Sequence, residues 1–136
     1  MKTKIILILI MISCACKSTN NVMQVSDQQI ALQVVSLDES DNEVSFKARV
    51  VVTSKDLVAK LSSAIAQKMT YQSDSIFYIT NGKQKIFPAL IQPVANGVAN
   101  TFEYLIDFDC RLPEKGLVMV YSDQYLTKKT YQLILN

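Results

Sequence analysis

The sequence predicts a mainly β protein, with two antiparallel sheets packed as a sandwich of about seven strands. Two observations support this fold class. From Gln29 onward, apolar and polar residues alternate with a period of two, as they do on half-buried strands. Turn-forming residues recur at intervals of about 8–12 residues, which is the spacing of a sandwich. A helical pattern interrupts the strands once, near residues 55–68.

The first part of the body contains the clearest strand pattern. Residues 43–53 alternate strictly and predict a half-buried strand with one inward face: Val44, Phe46, Ala48, Val50 and Val52. The run 30–34 alternates as well, and the acidic segment 38–43 lies between the two strands. This segment lacks the glycine and the spacing of an EF-hand calcium loop. We therefore interpret it as a solvated hairpin turn and expect no metal site there.

A change of period after residue 53 predicts the helix. Ser54 is suited to cap its N-terminus, and Asp56 places a negative charge in its first turn. Apolar residues then recur at helical spacing: Leu57, Leu61, Ala64, Ile65 and Met69. We therefore predict one crossover helix over residues 55–68, which covers an open end of the core.

Strands resume after the helix as a hairpin. Residues 75–80 and 83–91 flank Asn81-Gly82, a strong signal for a tight turn. Pro88 must lie at a sheet edge, a bulge or a strand end, because proline has no backbone N–H to donate.

The last strands follow the same alternation. Residues 101–109 predict one inward face of Phe102, Tyr104, Ile106 and Phe108, and one solvated face of Glu103, Leu105, Asp107 and Asp109. Residues 117–121 and 130–135 complete the set. A five- or six-stranded barrel is the alternative arrangement of these strands.

The N-terminal segment has the layout of a secretory signal. Lys2 and Lys4 precede an unbroken apolar run, Ile5–Ile12, and small residues follow it. A membrane-spanning helix needs about 20 apolar residues, and this run is less than half as long. We therefore predict a signal segment over residues 1–15.

The end of this segment resembles the lipobox of bacterial lipoproteins, in which a cysteine is acylated and becomes the mature N-terminus. Two registers fit, because Ala15 precedes Cys16, whereas Cys14 has an aliphatic residue three places before it. The usual length of signal segments favours Cys16 as the lipidation site, and Cys14 is the alternative. The resemblance implies a protein anchored to a membrane through acyl chains such as palmitate.

The same resemblance implies a location in the cell envelope. The family's retention signal is an acidic residue directly after the acylated cysteine, and Lys17 is not acidic. The resemblance therefore implies the outer membrane and periplasm of a two-membrane bacterium, or the plasma membrane where there is only one. We predict a polar, lipidated tether over residues 16–28 and one sandwich domain over residues 29–136.

Composition excludes several kinds of chemistry. The chain has no His, so Ser-His-Asp catalysis and His-ligated zinc are excluded. Lys and Arg number 14 against 12 Asp and Glu, and Lys2 and Lys4 make up the whole excess, so the body is neutral. A neutral body is not expected to bind nucleic acid. Cys110 has no His partner and is expected to be a packing residue, so we expect no enzymatic activity and no cofactor.

Tyrosine is the most frequent aromatic residue, with six tyrosines, five phenylalanines and no tryptophan. Tyr104 and Tyr131 fall on predicted inward faces and are interpreted as core residues. Tyr121 and Tyr125 flank the polar segment 122–124, which is interpreted as a loop. Because tyrosine is enriched at protein interfaces, these two residues are the candidate binding residues.

In these features the chain resembles the small bacterial lipoproteins that carry a β-sandwich body, of immunoglobulin-like or transthyretin-like architecture. Among them, the outer-membrane lipoproteins of secretion machines such as the type VI apparatus combine a similar size, anchor and fold class. The resemblance implies a non-catalytic binding or structural module with a protein partner in the envelope. The alternative is an inhibitor or immunity-type protein that blocks an envelope enzyme through a loop.

Overall fold

The computed structural model describes residues 22–110 and 116–135, which form nine strands and two helices. The predicted signal segment and both candidate lipidation residues, Cys16 and Cys14, lie outside the described residues. In chain order the elements are β1 (Val22–Ser26), β2 (Ile30–Glu39), β3 (Val44–Val52), α1 (Lys55–Lys60), α2 (Ser63–Tyr71), β4 (Phe77–Thr80), β5 (Lys85–Ile86), β6 (Leu90–Val94), β7 (Thr101–Phe108), β8 (Val118–Ser122) and β9 (Thr130–Ile134).

The strands form two antiparallel sheets that pack as a sandwich. The larger sheet has the order β1-β2-β3-β7-β6, and the smaller sheet has the order β5-β4-β8-β9. Each strand pairing in the described part of the chain is antiparallel. The predicted fold class is therefore confirmed, and the two sheets are separate rather than closed into the alternative barrel.

The core lies between the two sheets and follows the predicted alternation. The whole predicted inward face of β3 is buried, and so are Tyr104, Ile106 and Phe108 in β7. Phe77 in β4 packs against Tyr104 from the opposite sheet, with ring centroids 5.5 Å apart. Burial of such large apolar side chains is the main stabilising contribution to a fold of this kind.

The segment predicted to be one helix forms two shorter helices. Ser54 caps α1 as predicted, because its hydroxyl group accepts a hydrogen bond from the backbone N–H of Leu57. The chain then leaves helical geometry, and Ser62 caps α2 in the same way through the N–H of Ile65. The prediction of a single helix over 55–68 is therefore wrong. The apolar spacing continues through the segment and does not indicate that a second serine caps a new helix there.

β1 lies within the segment predicted to be a tether. Its five residues pair with β2, and two of them, Met23 and Val25, pack against the core. The stretch from Val22 to residue 28 therefore belongs to the folded body, and the predicted tether over 16–28 is wrong there. Its many polar residues obscured a short edge strand that needs only two inward apolar side chains.

The strand predicted over residues 83–91 is divided between the two sheets. β5 ends at Ile86 and pairs with β4, whereas β6 begins at Leu90 and pairs with β7. Pro88 lies between these two strands, where no backbone N–H is needed for strand pairing, so it falls at a strand end as predicted. This division, together with the addition of β1, raises the predicted seven strands to nine.

The hairpin between β4 and β5 forms at Asn81-Gly82, as predicted, but its turn is longer than two residues. The side-chain oxygen of Asn81 accepts hydrogen bonds from the backbone N–H groups of Lys83 and Gln84, both at 2.9 Å. Gly82 has a φ of +91°, a conformation that other residues rarely adopt. The loop therefore depends on both residues, for different reasons.

Candidate functional site

The predicted binding residues are placed very differently by the structure. Tyr125 lies in the loop of residues 123–129, which we call the β8–β9 loop, and it is half-buried. Tyr121 belongs to β8, where its ring is packed in the core and is 0% exposed. The prediction that Tyr121 contributes to a binding surface is therefore wrong, because its inward position leaves no ring surface for a partner. Tyr104 and Tyr131 are buried, as predicted.

The β8–β9 loop is held in shape by one buried carboxylate. Asp123 accepts hydrogen bonds from the backbone N–H groups of Tyr125 and Leu126, both at 3.1 Å. It also accepts from the N–H of Thr127 at 2.6 Å and from the hydroxyl group of that residue at 2.7 Å. In the sequence, Asp123 is the residue that could have indicated this turn, because aspartate commonly accepts hydrogen bonds from the N–H groups that follow it. The loop is therefore ordered by its own contacts.

Two tyrosine hydroxyl groups bind the C-terminal end of α2. Tyr104 donates a hydrogen bond to the carbonyl oxygen of Met69 at 2.6 Å, and Tyr125 donates one to that of Gln72 at 2.7 Å. The last carbonyl groups of a helix have no partner within the helix, so these hydroxyl groups provide one. Burial, with the negative charge of Asp123, raises the pKa of Tyr104 above its ordinary value. Its hydroxyl group therefore stays protonated and able to donate.

A second polar cluster lies where the turn after β1 approaches β9. The carboxylate of Asp27 accepts hydrogen bonds from the backbone N–H groups of Gln29 and Ile30 at 2.7 and 2.9 Å. It also accepts from the hydroxyl group of Tyr131 at 3.0 Å and forms an ion pair with Lys129 at 3.2 Å. An open groove of about 660 Å³ lies here, lined by Asp27, Gln28, Gln29, Ser54, Asp56, Thr127 and Lys129. The groove and the β8–β9 loop form the polar end of the sandwich.

The contacts of Asp27 predict a pH dependence of stability. Burial opposes ionisation of the carboxyl group, but the hydrogen bonds from Ile30, Gln29, Lys129 and Tyr131 outweigh it and lower the pKa of Asp27 to about 2. An unfolded Asp has a pKa of about 3.9, so the folded state binds fewer protons between these values. The stabilisation by Asp27 is therefore complete above the unfolded pKa and is lost as the pH falls towards the folded pKa.

We expect Asp27→Asn to destabilise the protein most at neutral pH. The difference in unfolding free energy between the parent and the variant, measured by urea titration, should shrink steadily as the pH falls from about 5 to about 2. A difference that stays constant over this range would contradict the assignment of the low pKa to Asp27.

Glu103 was predicted to be solvated and is instead almost completely buried. Its side chain is 3% exposed, because Arg49 and Lys47 on the neighbouring strand β3 lie against it. Arg49 Nε donates a hydrogen bond to Glu103 Oε1 at 2.6 Å, and Lys47 Nζ is 3.9 Å from the same oxygen. Burial opposes ionisation, but the hydrogen bonds of Arg49 and Asn96 and the two positive charges outweigh it, so the pKa of Glu103 lies below its ordinary value. The carboxylate of Glu103 is therefore ionised, and the positive charges of Arg49 and Lys47 balance its negative charge.

A cleft of about 360 Å³ adjoins Glu103 beside the end of α2. Its lining combines the end of α2, the segment 93–97 and the first half of β7. Glu103 is the charged residue in this lining, and it already forms its ion pair with Arg49. The lining of the cleft therefore contains polar groups but no pair of carboxylates. Acid–base catalysis of glycoside hydrolysis requires such a pair.

Metal-binding side chains form no cluster in the described part of the chain. Within residues 22–110 and 116–135, no group of three or more His, Cys, Asp or Glu residues is placed to hold a metal ion. Cys110 is half-buried against the core, and burial, with the charge of Asp109, raises the pKa of its thiol. A thiol that stays protonated is a weak nucleophile. None of the helices in these residues is long and apolar enough to cross a bilayer.

The fold and the polar end define the class of this protein: a two-sheet antiparallel β-sandwich with two short helices in the crossover between its sheets. Comparisons with family models, with curated proteins and with solved structures find no match to this chain. Its function therefore has to be inferred from its own residues.

Proposed function

We propose that this chain is a lipid-anchored protein of the bacterial cell envelope that acts as a non-catalytic binding or structural module. The observation that carries the proposal is the position of β1 relative to the cysteines. The first described strand, β1, begins at Val22, and five residues lie between it and Cys16. A signal segment, an acylated cysteine and a folded domain thus follow one another directly along the chain.

The sequence of the N-terminal residues supports the removal of the signal segment. The apolar run Ile5–Ile12 precedes a change to the polar residues 17–21, which suits a segment inserted in a membrane and then cleaved. Several acyl chains on the new N-terminus would give stable anchoring, since each buried CH₂ group contributes about 0.8 kcal/mol.

Metabolic labelling with an alkyne fatty acid tests the anchor. We expect the label on the parent chain and on Cys110→Ser, which serves as the control for loss of a thiol. We expect it to be lost from Cys16→Ser, with the chain released from the membrane fraction. Label that disappears only in Cys14→Ser would assign the alternative register. Label that persists when both cysteines are replaced would contradict lipidation at either of them.

The surface of the body supports binding rather than catalysis. Leu90 on β6 and Leu105 on the neighbouring strand β7 are exposed on the same side of the larger sheet. Exposed apolar groups that lie together are typical of interaction sites. The partner is proposed to be another envelope protein, and crosslinking in intact cells followed by mass spectrometry of the adducts identifies it. A component of a membrane assembly is expected to co-purify with several other proteins.

The β8–β9 loop favours a second candidate function, inhibition of an envelope enzyme. A loop ordered by its own hydrogen bonds loses little conformational entropy on binding, which is an advantage for an inhibitor. The exposed side chains of this loop include Gln124 and Lys128. In the same crosslinking experiment, an inhibitor is distinguished by a one-to-one complex with a single enzyme.

A further inference from the structure

One side of the larger sheet faces away from the core, and we call it the outer face. The strand register places Val22, Val35, Lys47, Leu105 and Gln92 in one row across all five strands. Leu90 lies on the same face, opposite Asp107 on β7. Val22, Leu90 and Leu105 are exposed, so the face combines apolar side chains with a lysine at its centre.

The charges of the outer face are arranged with the cations outermost. The side chains of Lys47 and Arg49 are 40% and 47% exposed, whereas that of Glu103, between them, is 3% exposed. Asp107 is half-buried and accepts a hydrogen bond from the hydroxyl group of Ser45 at 2.6 Å. Lys47 and Arg49 therefore expose positive groups at the centre of this face, beside the half-buried Asp107, and the formal charges of the face balance.

The proposed anchor limits how far this face can be from a membrane. Six residue steps separate Cys16 from Val22, and a fully extended chain of that length spans about 20 Å. Five strands at a spacing of about 4.8 Å give a sheet about 19 Å wide. The linker is thus about as long as the sheet is wide, and it joins the sheet at Val22, whose side chain belongs to the outer face.

We propose that the outer face of the larger sheet lies against the surface of the membrane that holds the lipid anchor. This inference rests on the proposed lipidation. The apolar side chains contact the interface between headgroups and acyl chains, and Lys47 and Arg49 contact anionic headgroups. The smaller sheet then faces away from the membrane, together with Ile134 on its own outward side.

Fluorescence quenching by brominated lipids tests this orientation. The acylated protein is purified from membranes, its Cys110 is replaced by Ser, and a bimane label is attached to Leu105→Cys or, in a matched control, to Ile134→Cys. Each sample is bound to vesicles of phosphatidylethanolamine and phosphatidylglycerol with brominated acyl chains. We expect the label at 105 to lose several times more of its intensity than the label at 134. Equal quenching, or stronger quenching at 134, overturns the proposed orientation.

A substitution on the face adds a second measurement. Leu90→Glu places an exposed negative charge among the groups that would meet anionic lipid, and we expect it to reduce quenching of the label at 105. The matched control, Lys83→Glu in the turn of the smaller sheet, should leave that quenching unchanged. Quenching at 105 that is insensitive to Leu90→Glu contradicts contact through this face.

Mass spectrometry of the same preparation distinguishes a failure of the proposed anchor from a failure of the proposed docking. A chain without acyl groups on Cys16 or Cys14 overturns the anchor, and the docking falls with it. An acylated chain with equal quenching at both labels overturns the docking alone and leaves the anchor in place.

Discussion

Replacing Phe77 with Ala is expected to lower the free energy of unfolding by about 3–5 kcal/mol, the range for removing a fully buried phenylalanine ring. Phe77 is 0% exposed and lies between the sheets. Its ring centroid is 5.5 Å from that of Tyr104 in the larger sheet and 5.1 Å from that of Tyr121 in the smaller one. The variant loses aromatic contacts with both sheets and leaves a cavity at their interface. Urea unfolding followed by circular dichroism measures the loss.

Phe87→Ala is the matched control for this substitution. The same atoms are removed, but the side chain of Phe87 is 51% exposed and contacts one aromatic ring, that of Tyr78. We expect a loss below about 1 kcal/mol, because surface truncations leave no cavity. Similar losses in the two variants would mean that the core between the sheets is not where the structure places it.

Replacing Asp123 with Ala is expected to lower the free energy of unfolding by about 2–4 kcal/mol, because several partly buried donors lose their acceptor at once. The carboxylate accepts hydrogen bonds from three backbone N–H groups and from the hydroxyl group of Thr127. The side chain is also buried, so its removal leaves N–H groups that water reaches poorly. The unfolding free energy reports the cost. Hydrogen exchange at Tyr125 and Leu126 reports whether the β8–β9 loop opens.

Asp123→Asn separates the hydrogen bonds to one carboxylate oxygen, from Tyr125 and Leu126, from those to the other, from Thr127. The amide keeps one oxygen that accepts from Tyr125 and Leu126, but its NH₂ group faces the donors of Thr127. We expect the unfolding free energy of Asp123→Asn to lie between that of the parent and that of Asp123→Ala. An asparagine variant as unstable as the alanine variant would show that Thr127 alone holds the loop.

The alternation of β3 and β7 was sufficient to predict the fold class, because a period of two together with frequent turns leaves few alternatives. Ser54 was equally informative, since a capping serine acts on the N–H groups that follow it. β1 was missed because an edge strand in this fold needs only Met23 and Val25 to face the core. The break before Ser62 was missed because the apolar spacing continues across it.

The candidate site was less predictable, because it depends on neighbours distant in the chain. The burial of Glu103 follows from its position opposite Arg49 across β3 and β7, and that register is a property of the folded sheet. Tyr121 and Tyr125 look alike in the sequence, and only the end of β8 at Ser122 separates a core ring from a loop residue. The role of Asp27 was not predictable, since its partner Lys129 is 102 residues away.

The contacts that Asp27 makes near the C-terminal end of the described chain affect when the protein can fold. Asp27, next to the first strand, binds Tyr131 in the last strand, and 104 residues separate them. β4 likewise finds its partner β8 only after most of the chain has been made. Native pairings between distant segments form slowly, because the loop between them must first be closed. The smaller sheet is therefore expected to form only when β8 and β9, the last two described strands, are available to pair with β4.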